Sequence, residues 1–203
     1  MENKQLRILI VTANPIRERY LDIESEVRMI EFVLEDKPQL TGIELDFLHN
    51  ANINSLRNKL LEYKPHIVHL SCHGAYDQRE GLGYVVLCSP DNKLKPDSVD
   101  AFRLATAFGE PKTVQLVFLS SCYGARQDIN AVFSGVAQCI HAAGIPAVAA
   151  LQVALVDKTS HAIGLNFYRY LLREQLSVEE CINRIRRYLF ICELLAEMIC
   201  FLR

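Results

Sequence analysis

Two side chains able to do covalent chemistry stand forty-nine residues apart, each at the end of an apolar run. They are His73 in PHIVHLSCHG (residues 65–74) and Cys122 in VFLSSCYGA (residues 117–125). Glycine follows His73 directly, as Gly74, and follows Cys122 after one residue, as Gly124. A thiol attacks as its thiolate, so it needs a neighbour to manage protons and donors for the oxyanion on the attacked carbonyl. An imidazole does the first near neutral pH. The N–H groups of Gly74 and Cys122, in loops that begin at strand ends, are candidate donors for the second. The small glycines let a substrate come close to the backbone. Such a set performs acyl transfer through a thioester.

The same stretch raises a metal reading, because His66, His69, Cys72 and His73 crowd together. Strand alternation puts His69 and His73 on one face and His66 and Cys72 on the other. Four ligands from one short strand do not converge tetrahedrally, so zinc is set aside. His69 is expected as a packed or hydrogen-bonded neighbour of the site, and His66 near the strand's start. Cys72 is expected as core filler on the helix-packed face. Cys88, Cys139, Cys181, Cys192 and Cys200 read as small buried hydrophobes.

The elements that must position His73 and Cys122 alternate between β-rich apolar runs and helical periodicity. Strands are expected at residues 6–11, 43–48, 66–72, 114–121 and 147–151, with a hairpin at residues 83–94 turning on SPDN. Ile23, Val27, Ile30 and Val33 mark a first helix. Further helices follow around Leu56, residues 98–108, Val136, residues 157–173 and the Ser177-x-x-Glu180 capping box. This gives an α/β fold with a doubly wound, mostly parallel sheet, helices on both faces and a hairpin insertion. In such sheets ligands bind beyond the carboxyl ends of the strands, where His73 and Cys122 fall.

A chain of 203 residues, half apolar and 23% charged, is large enough for one domain with its own core, taken as residues 1–203. A net charge of −2 gives no broad attraction for nucleic acid or acidic membranes. No run is long enough to span a membrane, and MENKQLRILIVTANP reads as a first strand and not a signal peptide. Seven irregularly spaced cysteines suggest a reducing, cytoplasmic setting. TANP lacks the glycine spacing of a dinucleotide loop and the clustered aspartates of a response regulator.

The histidine–glycine pair after one strand and SSCYG after another resemble caspase-type cysteine peptidases. Caspases proper carry glutamine and alanine before the cysteine, so the match there is poor. The chain is more similar to CHAT-domain peptidases, bacterial relatives of caspases and separase. RILIVTANP (7–15) with ESEVRMIE (24–31), PHIVHLSCHG and VFLSSCYGA carry the resemblance. So do PAVAALQ (146–152) with Asp157, and FYRYLLREQLSVEECINRIR (167–186). The resemblance implies a caspase-like fold and a cysteine endopeptidase without metal or organic cofactor. Cys122 would be the nucleophile, His73 the proton donor to the leaving amine, and Gly74 and the Cys122 amide the oxyanion hole. It also implies control by a regulatory partner or by a sensor or repeat module.

Asn14 and Gln152 follow the first and fifth strands, with Asp157 beyond, so their positions suit a pocket for the residue before the scissile bond. Asp77 and Asp128 are expected in loops beside His73 and Cys122. For Asp157 a helix cap is the alternative. The tail YLFICELLAEMICFL (188–202) reads as one helix with more than one apolar face. That pattern suits a partner chain, a missing domain or a dimer, or else a helix buried on most sides. Rival functions are a peptidase-like scaffold that has lost turnover, and an acyl-transferase or amidase acting on small molecules.

Overall fold

The computed structural model describes residues 5–15, 23–35, 42–77, 79, 82–120, 129–151, 157–191 and 199–202. Its main sheet has six strands, in the spatial order Ile43–Leu48 (β2), Leu6–Thr12 (β1), Ile67–Ser71 (β3), Leu116–Ser120 (β7), Ala147–Leu151 (β8) and Ile199–Leu202 (β9). Five are parallel neighbours: β1 (Leu6–Thr12), β2 (Ile43–Leu48), β3 (Ile67–Ser71), β7 (Leu116–Ser120) and β8 (Ala147–Leu151). The inner three are buried on both faces, which is why their sequences are apolar without alternation.

Side-chain parity divides the core into two layers. Leu9, Val11, Val68, Leu70, Val117, Leu119, Val148 and Ala150 face one set of helices. Those helices are α2 (Ile53–Tyr63), α3 (Ala101–Gly109) and α4 (Ile129–Ala142). Ile8, Ile10, Ile67, Leu116, Phe118 and Ala149 face the other set. That set is α1 (Ile23–Glu35), α5 (Asp157–Tyr168), which runs into a π-helical turn at Arg169–Arg173, and α6 (Val178–Ile191). Each fully buried Leu, Ile or Phe contributes about 1.5–3 kcal/mol. Truncating Leu70 to Ala would cost about 2–5 kcal/mol.

Local chemistry sets the element ends. Asn52 accepts from the Ser55 amide at 2.9 Å while Ser55 Oγ accepts from the Asn52 amide at 3.0 Å, a reciprocal box that opens α2. Asp100 caps α3 through the Arg103 amide, and Ser177 accepts from the Glu180 amide at the start of α6. After α4, Gly144 takes φ +101°, a left-handed conformation that glycine adopts without strain.

A second, three-stranded antiparallel sheet has the order β4-β5-β6, formed by His73–Asp77, Leu82–Cys88 and Pro96–Asp100. The SPDN turn is present, with the Asn92 amide on Ser89 O at 3.3 Å. Two expectations are corrected here. The loop expected at Gly74 is a strand, β4, paired with β5. The helix expected from residue 98 begins at Ala101, because Pro96–Asp100 forms the edge strand β6. Proline at the start of an edge strand removes no interior ladder bond.

The C-terminal reading is also corrected. α6 ends at Ile191, and Ile199–Leu202 form β9, antiparallel to β8 with Ala149 opposite Phe201. An apolar run this short carries no distinguishing period, and the open edge of β8 supplies the backbone partners that make it a strand. The dimer contact read onto a C-terminal helix therefore loses its helix at residues 199–202. Residues 192–198 lie outside the described residues. Among the described residues no helix is long and apolar enough to cross a membrane.

Candidate active site

Three adjacent strands end level. Thr12 of β1 is the register partner of Ser71 of β3, and Ser71 is the partner of Ser120 of β7. Two residues beyond each partner the sequence reads Asn14, His73 and Cys122. His73 stands where the chain leaves the parallel sheet, after the single linking residue Cys72, and enters the antiparallel one opposite Val86. It is 5% exposed. Gly74 follows it inside β4, opposite Val85, and is buried.

The Asn14 backbone amide hydrogen-bonds the Cys88 thiol. Cys88 in turn donates its amide to Ala51 O, and Ala51 donates to Thr12 O. This chain of contacts fastens the ends of β1 and β5 together. Asp77 closes β4 opposite Leu82, so four strand steps carry it about 13 Å from His73. The expectation of a loop acid beside the histidine is corrected by the length of β4. Asp157 is the first residue of α5, and its side chain is outside the described set, as is that of Asp77. Cys122, Asp128 and Gln152 lie outside the described residues.

Burial disfavours the thiolate at Cys72, Cys88, Cys139 and Cys181. Burial raises Cys72 to about 12, with the charge of Glu26 adding to the effect, and Cys72 packs in the α2–α3–α4 layer as its parity predicts. Burial also raises Cys181 to about 11, and pushes Cys88 and Cys139 upward. His66 sits at the foot of β3, where Nδ1 accepts from the Arg7 amide at 3.0 Å. Among the described residues no group of three His, Cys, Asp or Glu is placed to hold a metal ion.

Directly beneath the strand ends lies a buried polar cluster that the sequence reading missed apart from His69. Glu26 of α1, 4% exposed, accepts from Ser71 Oγ at 2.7 Å and from Ser120 Oγ at 2.5 Å. Its Oε1 lies 3.3 Å from His69 Nε2, and His69 Nδ1 lies 3.1 Å from the Tyr168 hydroxyl. His69 also stacks on Phe118, ring centroids 5.1 Å apart. Burial alone would raise the Glu26 pKa. The attraction of His69 and hydrogen bonds from His69, Ser120 and Ser71 outweigh it and bring it down to about 2. Burial holds the Tyr168 phenol well above its usual value, so it stays protonated. A signal was available in the pattern: Glu26 stands four residues before Ile30 on the apolar stripe of α1.

A cavity of about 270 Å³ on this same rim is lined by Glu24, Val27, Arg28 and His49. Another, about 440 Å³ and mostly apolar, is bounded by Leu6, His66, Ile67, Leu116, Leu171 and Val178 among others. It opens at the amino ends of β1, β3 and β7, the rim opposite His73.

A family model described as the CHAT domain matches residues 6–189. No curated protein matches the chain significantly in sequence. Among solved structures, the crystal structure of the Drosophila initiator caspase Dronc is similar with a TM-score of 0.58 and 11% identity. The match covers 93% of this chain and 74% of that one. At that identity the likeness concerns the fold, a mostly parallel sheet of caspase type with helices on both faces.

Proposed function

Because the chain belongs to the CHAT domain family and has a caspase-like fold, we propose that it is a cysteine endopeptidase using Cys122 and His73 as a dyad. The Cys122 thiolate attacks the scissile carbonyl carbon, and the N–H groups of Gly74 and Cys122 hold the resulting oxyanion. Collapse of that intermediate breaks the C–N bond, and the leaving amine takes its proton from His73. A water then gives a proton to His73 and attacks the thioester. The product acid departs and the thiol is restored.

The observation that carries this reading is the register of Ser71 with Ser120. His73 and Cys122 each follow one of these partners by two residues, and two extended residues span about 7 Å. Neighbouring strands lie about 4.8 Å apart, so covalent geometry limits how far the two side chains can diverge. The raised pKa values of Cys72, Cys88, Cys139 and Cys181 argue against each of these four as the nucleophile. Asn14, Gln152 and Asp157 border the substrate pocket in this account. The enzyme works in the bacterial cytoplasm, in signalling or defence, and a partner or sensor module gates it.

A peptide-library digestion with and without candidate activating partners tests the assignment. Cleavage that Cys122→Ala abolishes is the expected result. Cleavage that survives in Cys122→Ala rules the nucleophile out, and binding of peptides without cleavage under any condition favours a scaffold.

A further inference from the structure

The carboxylate of Glu26 is buried and takes no part in the proposed reaction. A buried carboxylate is costly unless every lone pair finds a donor. This one takes a hydroxyl from Ser71 on Oε2 and a hydroxyl from Ser120 on Oε1, so its two oxygens bridge two neighbouring strands. Its donors are the last residues of β3 and β7, the strands that run on into His73 and Cys122.

The rung beyond the serines, from the Cys72 amide to Ser120 O, measures 3.3 Å, at the long end for such bonds. The bridge adds two charge-assisted hydrogen bonds beside this long rung. His69 holds the carboxylate from one side and is itself held by Tyr168. On the α5 side, a methyl placed at Gly164 would stand 3.7 Å from Glu26 Oε1, so that helix closes over the cluster.

We infer that Glu26 is a positioning residue: by tying Ser71 to Ser120 it sets the separation of the ends of β3 and β7, from which the chain runs on to His73 and Cys122. This rests on the peptidase reading above. Glu26 touches neither substrate nor the reacting atoms. It acts through the two serines, and loosening it frees the ends of β3 and β7 to move apart. The thiolate then loses part of the stabilisation that His73 gives it.

The test follows alkylation of Cys122 by iodoacetamide across pH, read by peptide mapping. The proteins compared are wild type, His73→Ala, Glu26→Gln, the Ser71→Ala/Ser120→Ala pair and Phe167→Leu. The serine pair removes the bridge but leaves Glu26 facing His69, so it keeps the test open if Glu26→Gln does not fold. Phe167→Leu disturbs the same core layer, where Phe167 packs on Phe118, and removes no hydrogen bond from Glu26. The expected result is an alkylation midpoint about one pH unit higher in the serine pair, roughly a tenfold loss of thiolate at pH values below both midpoints. Phe167→Leu keeps the wild-type midpoint. A wild-type midpoint in the serine pair, or an equal shift in Phe167→Leu, overturns the positioning role. If wild type and His73→Ala titrate together, the dyad itself fails and the positioning role falls with it. That outcome is recognisable because it appears before any bridge variant is compared.

Discussion

Ser71 and Ser120 are register partners at the carboxyl ends of adjacent parallel strands, and both hydroxyls donate to the one buried carboxylate of Glu26. Packing delivers the two strands to a common height, and the carboxylate bridges them there. The residues that carry the proposed chemistry begin two positions later. Function and stability are therefore coupled at one acid.

Glu26 makes the fold acid-sensitive in a defined window. Its native pKa of about 2 is below the 4.5 of an ordinary glutamate, so its contribution is complete above pH 4.5 and is lost as pH falls towards 2. A shift of that size corresponds to about 3 kcal/mol. Thermal melts of Glu26→Gln between pH 5 and pH 2 should show a flatter pH dependence than wild type, from a lower starting stability. Parallel curves would refute the assignment.

Tyr168→Phe removes a hydroxyl from a fully buried ring and leaves His69 Nδ1 without its partner. The cost expected from an unmet buried group is about 1–3 kcal/mol, with the shape of the core retained. Urea denaturation should show a lower midpoint at an unchanged slope. No loss of stability would mean that the hydroxyl contributes nothing there.

Thiol labelling should be strongly ordered. Cys72, Cys88, Cys139 and Cys181 are disfavoured as thiolates by burial, Cys72 and Cys181 most. Iodoacetamide near neutral pH should modify Cys122 at least about a hundredfold faster than Cys72. Equal rates across the chain would remove the case for an activated thiol.

The parallel core was legible because buried inner strands are unbroken apolar runs, as in IVHLS and LVFLS. The parities of His69 and Cys72 were legible for the same reason. β4 and β6 were not: HGAYD and PDSVD are short and rich in residues that favour turns, and become strands by pairing with β5. β9 was hidden because ICFL suits either helix or strand until the free edge of β8 is known. Glu26 stands out as an acid on the apolar stripe of α1, but its partners were hidden because they lie 45 and 94 residues away. No local pattern announces a long-range hydrogen bond.

β9 covers the outer edge of β8. Deleting residues 199–203 should uncover a row of unpaired backbone groups on a strand whose described side chains are apolar. Size-exclusion chromatography of the shortened protein should show self-association, with a lower melting temperature. A monomer of wild-type stability would mean that β9 does not protect this edge.

The central claim is that one sulfur and one imidazole cooperate at the rim of the sheet. The measurement that reaches it most directly is covalent trapping with a library of peptides carrying a thiol-reactive ketone at the carboxyl end, followed by mass mapping of the adduct. The account predicts a thioether on Cys122 that forms in wild type and is suppressed in His73→Ala. An adduct on another cysteine, or on Cys122 at the same rate without His73, contradicts it.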